Sequence, residues 1–161
     1  MLQLQPFTSK DYATLISWVP NLEAFYLFSG TRAPWPVTEI DLAERAARED
    51  VYAWTAVLTA DRATPAGHIE FARTAADAGR FARVIIAPDF RGLGLARHLI
   101  DAGLQAVRRL GIGTVDLNVV IGNEPALRTY TGMGFRRLGV NPDYPTMLQM
   151  TRDLETERLS G

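Results

Sequence analysis

The stretch from Phe81 to Leu110 constrains the fold more than any other part of the chain. An apolar run, FARVIIA (81–87), is stopped by Pro88 and passes through Asp-Phe-Arg-Gly-Leu-Gly. Leu95, Leu99, Ile100, Gly103, Val107 and Leu110 then recur at helical spacing, and Gly111 offers a C-terminal cap. A buried strand therefore runs through a glycine-bearing turn into a long amphipathic helix. The first amides of such a helix lack intrahelical partners, and the aligned peptide dipoles add positive potential there. Gly92 and Gly94 remove side chains that would hold an anion away from those amides. Arg91, Gly92, Leu93, Gly94, Leu95, Ala96 and Arg97 thus suit a phosphate cradle, with the two arginines adding forked donors. It is neither a P-loop, since no Gly-Lys-Ser/Thr follows, nor the three-glycine dinucleotide fingerprint. Taken alone, the motif also fits a strand-to-helix turn with ordinary surface arginines, although the cradle is the better reading.

Around this segment the period changes twice. Residues 2–6 alternate as a strand. Thr8 to Asp11 has capping-box spacing before a helix that Pro20 stops. Residues 21–37 look irregular and aromatic-rich, and Thr38 to Asp41 opens a second helix to about Glu49. Three strands follow at 51–59, 67–73 and 81–87, reading as an antiparallel meander. After the long helix come a strand at 114–120, a short helix at 124–132, and a closing strand pair at 134–140 and 145–153. The order β-α-α-β-β-β-α-β-α-β-β predicts an α/β (α+β) fold with a mixed sheet and helices on both faces.

Composition excludes several functions. The 161 residues carry 17 basic and 18 acidic side chains, a net charge of −1 without the basic excess expected of a nucleic-acid binder. With no cysteine there is no disulfide scaffold, thiolate metal site or cysteine nucleophile. His68 and His98 have no zinc spacing, so no metal is expected. Neither a signal peptide nor an apolar run long enough for a membrane span is evident, and no domain boundary breaks residues 1–161. The expectation is a soluble, cytoplasmic, single-domain protein.

A second motif begins at Asn123, a good N-cap, with Pro125 tolerated in the first turn. Ala126 and Tyr130, four apart, share a helix face, and a small residue one turn before a phenol leaves room beside it. By itself Tyr130 is more commonly a half-buried core aromatic.

Together, Arg91-x-x-Gly94-x-Ala96 and Asn123-x-x-Ala126-x-x-x-Tyr130-x-x-x-Gly134-Phe135 resemble the GNAT superfamily of N-acetyltransferases, whose first motif has the form Q/R-x-x-G-x-G/A. The resemblance implies a mostly antiparallel sheet of about seven strands, with two splayed parallel strands, 81–87 and 114–120, holding acetyl-CoA. Val84, Ile85 and Ile86 would line the pantetheine arm, with backbone groups of Val84 and Ile86 pairing to it as an added strand would. Residues 91–97 would cradle the pyrophosphate, while Asn123 and Ala126 would flank the cofactor. An uncharged amine would attack the thioester, the Ile86 N–H would stabilise the oxyanion, and Tyr130 would protonate the departing thiolate.

The base is less defined. A position that holds glutamate in some members is Asn118 here, and where others place a glutamate the neighbourhood offers Arg83. Glu70 and His68, two apart on one strand face, are the candidates, with Asp116 a third; a water chain is the remaining route. Trp18, Phe28, Trp35, Asn118 and Tyr144 are the candidate acceptor-site residues, although the aromatic rings between 18 and 35 equally suit core packing. The acceptor implied is a small-molecule amine or a peptide N-terminus, and a homodimer would fit the family. A non-catalytic acyl-CoA-binding module of the same fold is the alternative.

Overall fold

The computed structural model describes residues 1–30 and 35–154. Seven strands form one sheet: β1 (Leu2–Pro6), β2 (Val51–Leu58), β3 (Pro65–Ala75), β4 (Ala78–Ile86), β5 (Thr114–Val120), β6 (Arg136–Val140) and β7 (Met147–Asp153). Among the described residues five α-helices accompany them: α1 (Tyr12–Ser17), α2 (Leu22–Ser29), α3 (Glu39–Ala46), α4 (Leu95–Arg109) and α5 (Glu124–Gly132). The sheet order is β1-β2-β3-β4-β5-β7-β6, and only the β4–β5 pair is parallel. The mixed, mostly antiparallel sheet expected from the sequence is therefore present. Among the described residues no helix is long and apolar enough to cross a membrane.

Local signals explain most element ends. The Thr8/Asp11 and Thr38/Asp41 capping boxes are both formed. The Asn123 side chain accepts from the Ala126 N–H and starts α5. One expectation is corrected: residues 22–29, placed in an irregular stretch, form α2. Asn21 caps it by accepting from the Ala24 N–H at 2.8 Å, and Gly30 closes it at φ 77°. A cap at each end compensates for the aromatic side chains, which favour helix only weakly. Residues 31–34 of that stretch lie outside the described residues.

Each face of the sheet carries its own core. On one, Leu99, Ile100, Leu104 and Val107 of α4 pack on Ile69, Phe71, Phe81 and Leu117. Gly103 lets the helix approach closely, since a Cβ there would stand 2.8 Å from Ile69 Cδ1. On the other, Leu15, Trp18, Phe25, Phe28 and Leu42 of the first three helices form the second cluster, reaching Ile85 and Ala87.

The sheet opens at its centre. Strands β4 and β5 pair only at Ala78↔Thr114, Gly79↔Val115 and Arg80↔Asp116. Beyond that vertex each keeps its outer neighbour: β4 pairs with β3 up to Ile86, and β5 with β7 up to Val120. A bulge sharpens the divergence. Arg83 and Val84 together stand opposite Ile69, and Arg83 takes the left-handed value φ 50°. The Ala87 N–H donates to the Ala66 oxygen at 2.8 Å, so strand alternation turns the N–H and C=O groups of Ile86 and Val84 away from β3. They face the gap, where no strand meets them.

Candidate functional site

The gap between the diverging strands is a cavity of about 490 Å³ with walls from both faces of the sheet. Asn123, Ala126 and Tyr130 of the α5 segment line one side; Leu27 to Gly30 of α2 and Arg45 of α3 line the other. Val84 and Val120 lie on the diverging strands, and Phe81, Ala82 and Leu117 lie near the vertex.

At the open end of β4 the chain turns through Pro88–Phe90 and enters α4 at Gly94. Gly92 and Gly94 adopt φ 77° and 75°, a region that disfavours side chains, and a Cβ at either would meet nothing within 4 Å. No side chain caps the first turn of α4, so its amides are open to an anion there. Arg91 folds back, its Nε donating to the Ile86 oxygen at 3.1 Å. That bond occupies the Ile86 carbonyl and leaves its N–H as the free donor at the end of the gap. Arg97 reaches over the last turn of α5 at Gly132. Of the expected cofactor residues, Val84, Asn123, Ala126 and Tyr130 line the cavity; Ile86 and residues 91–97 follow on from it without lining it, and the Ile85 side chain turns to the second core.

Tyr130 packs edge-on against Phe135 at 5.9 Å, and its ring covers the first core. Burial alone pushes its hydroxyl up to about 12. The phenol is therefore both a packed aromatic and a group that keeps its proton at neutral pH.

Glu70 and His68 are nearly inaccessible, at 2% and 1% exposure, and neither lines the cavity. Glu70 receives Arg45 Nε on Oε1 at 2.5 Å and faces His68 Nε2 from Oε2 at 2.9 Å. Burial raises its pKa, but the His68 hydrogen bond and the charges of His68, Arg45 and Arg83 outweigh it, holding the carboxyl below its ordinary value. Asp116 stands at the vertex opposite Arg80 and accepts from Gln149 at 3.4 Å. Asn118 lines the cavity and accepts from Asn141 at 3.0 Å.

The expected acceptor residues divide. Phe28, Asn118 and Tyr144 line the cavity; Trp18 lies in the second core, and Trp35 packs outside it at a tilt to Phe25, with ring centroids 6.0 Å apart. Four residues that the sequence did not single out for the acceptor site also line it: Arg45, Arg48, Arg80 and Arg83. Their signal is the repeated Arg-x-x-Arg spacing, at a helix end and on a central strand where charge is costly to bury.

Comparison with known proteins supplies the frame. The model of the Acetyltransferase (GNAT) family matches residues 19–135. A mycothiol acetyltransferase of Rhodococcus jostii (strain RHA1) is 46% identical over 61 residues, covering 38% of this chain and 20% of that protein. The chain thus spans about a fifth of the length of the curated relatives it matches. Among solved structures, the spermidine N-acetyltransferase from Vibrio cholerae in complex with CoA and spermine superposes with TM-score 0.80 at 19% identity, covering 96% of both chains. The PaiA N-acetyltransferase from Thermoplasma acidophilum in complex with coenzyme A gives TM-score 0.74 at 16% identity, covering 96% of this chain and 99% of that one. At these identities the structural likeness is one of fold.

Proposed function

Because the chain belongs to the GNAT acetyltransferase family, we propose that it transfers an acetyl group from acetyl-CoA to a primary amine. The observation that carries this reading is the splay: the inward backbone groups of Val84 and the Ile86 N–H have no strand to pair with, an uncapped helix N-terminus follows β4, and Tyr130 stands on the cavity wall. These residues fit the cofactor. The backbone of Val84 and the Ile86 N–H suit an extended amide-bearing arm, and the open space at Gly92 and Gly94 suits a pyrophosphate against the first amides of α4. Bound there, acetyl-CoA would supply an activated thioester, open to attack by an uncharged amine with the CoA thiolate as leaving group.

The protein then has three tasks. The Ile86 N–H is a preorganised donor for the negative charge that develops on the carbonyl oxygen. Tyr130 delivers the proton to the thiolate; with its pKa pushed up to about 12, it holds that proton throughout the neutral range. The amine must arrive or become uncharged. Glu70, fixed as an anion between Arg45 and His68 behind the cavity wall, is suited to positioning Arg45, and the proton leaves to solvent through the cavity mouth.

The test uses the missing cysteines, since a thiol reagent then reads released CoA without protein background. Acetyl-CoA should bind in calorimetry, and thiol release should need an amine. Tyr130→Phe should keep acetyl-CoA affinity and lose about 10²- to 10⁴-fold in kcat, the usual worth of a general acid. An undiminished kcat in that variant would remove Tyr130 from the chemistry. Binding with no release from any amine would point to a non-catalytic acyl-CoA-binding module, and no binding at all would refute the cofactor assignment.

A further inference from the structure

The acceptor half of the cavity is strongly cationic. Arg45, Arg48, Arg80 and Arg83 line it, and among the described residues no carboxylate does. Two of the four have partners: Arg45 pairs with Glu70 and the exposed Arg48 with Asp50. Among the described residues, neither Arg80 nor Arg83 has an ion-pair partner. Arg80 forms no ion pair with Asp116, its register neighbour across the vertex, whose carboxylate accepts from Gln149. Arg83 lies over the Phe28 ring, its Cζ 5.2 Å from the centroid, and its Nη1 is buried without a hydrogen-bond partner. Asp41 and Glu70 reach Arg83 only through space. A buried guanidinium donor left unsatisfied is costly, and the natural remedy is an anionic acceptor of hydrogen bonds.

Building on the acetyltransferase reading, we infer that the acceptor is an amine that also carries a carboxylate or phosphate, held by Arg80 and Arg83, rather than a polyamine. The same charges serve the chemistry. Like charges disfavour an ammonium, so an amine brought beside these guanidiniums by its anionic group sheds its proton more readily. The attacking form is then populated without a carboxylate base on the wall. Arg45 and Arg48, already paired, contribute field, and the protonated phenol of Tyr130 does not oppose it.

The experiment starts with protein saturated in CoA, so that the cofactor's own phosphate sites are filled. Thermal shift and calorimetry then compare glutamate, glucosamine 6-phosphate, a peptide beginning with aspartate, spermidine and a neutral amine. Binding is expected for at least one anionic amine and not for spermidine, weakening as salt is raised. Arg80→Gln should weaken that binding by about tenfold or more, the worth of a charge-assisted hydrogen bond. Arg83→Gln should do the same, and Arg80→Gln, away from the bulge, keeps the test valid if Arg83→Gln misfolds. Carboxylate and phosphate arms separate the two sources of anion. Where turnover is seen, Arg80→Gln should raise KM and move the rising limb of the kcat–pH profile upward. Spermidine binding more tightly than every anionic amine, or no anionic amine binding in an Arg80-dependent way, would overturn the inference while acetyl-CoA binding keeps the enzyme reading intact. Loss of acetyl-CoA affinity in Arg80→Gln would also overturn it, by assigning the arginines to the cofactor.

Discussion

Replacing Glu70 by glutamine separates a positioning carboxylate from a proton acceptor. Glu70 is 2% exposed, with Arg45 Nε at 2.5 Å and His68 Nε2 at 2.9 Å. Breaking a buried ion pair by removing one partner costs about 3–5 kcal/mol. The amide keeps one carbonyl acceptor, and Arg45 is 22% exposed and reaches water, so we expect about 2–3 kcal/mol here. In a domain of this size that lowers Tm by about 5–10 °C at pH 7. The carboxyl's folded-state pKa is depressed, so its stabilisation is full above the unfolded value and is lost as pH falls through the folded one. The melting curves of wild type and Glu70→Gln should therefore converge below about pH 4. Adding Arg45→Gln to Glu70→Gln should cost less than the two single changes together, with a coupling of about 1–3 kcal/mol. In turnover, the variant should raise KM for the acceptor and keep the rising limb of the pH–rate profile. Equal Tm values at pH 7, or a gap that persists unchanged into acid, would refute the ion-pair reasoning. Loss of the rising limb would make Glu70 the base.

Two glycines give further checks. Gly94→Val forces a β-branched residue to φ 75°, where only open space surrounds the new Cβ; we expect about 1–2 kcal/mol of destabilisation. Its larger effect should be on the cofactor, with acetyl-CoA affinity down about tenfold or more as the anion is pushed off the α4 amides; calorimetry showing wild-type affinity would contradict the cradle. Gly79→Ala puts a Cβ 2.3 Å from Phe71 Cζ and 2.5 Å from the Ala72 oxygen. It should cost about 1–3 kcal/mol or more through strain at the vertex, visible as a lowered Tm; an unchanged Tm would show that the strand pair yields there.

What the sequence disclosed follows from the range of the interactions involved. The turn after β4, the start of α4 and the Asn123 cap depend on residues a few positions apart, so glycine placement and helical spacing were enough. The short helix α2 escaped notice because its ends rest on single caps, Asn21 and Gly30, around an aromatic interior that propensity alone places poorly. The bulge at Arg83 has no local mark, since its φ of 50° is imposed by pairing with β3. Glu70 and His68 were placed correctly on one strand face, but their role depends on Arg45, which comes from a helix 25 residues earlier. The arginine-lined wall is likewise assembled from α3 and β4, elements that the sequence keeps apart.

The missing carboxylate on the cavity wall and the arginine cluster belong to one electrostatic arrangement. A glutamate at position 118 would point into a cavity shared with Arg80 and Arg83. Those charges would stabilise its anion and lower its pKa, and a weakly basic carboxylate takes protons poorly. Its charge would also compete with an anionic acceptor for the same guanidiniums. Asn118, neutral and held by Asn141 at 3.0 Å, avoids both effects. In the proposed reaction the cationic field would act on the amine directly, favouring loss of its proton, while Tyr130 retains its own at a pKa pushed up to about 12. The opposite demands that this reaction would place on the two protons then have two physical causes on two sides of the sheet: charge beside the amine and desolvation around the phenol.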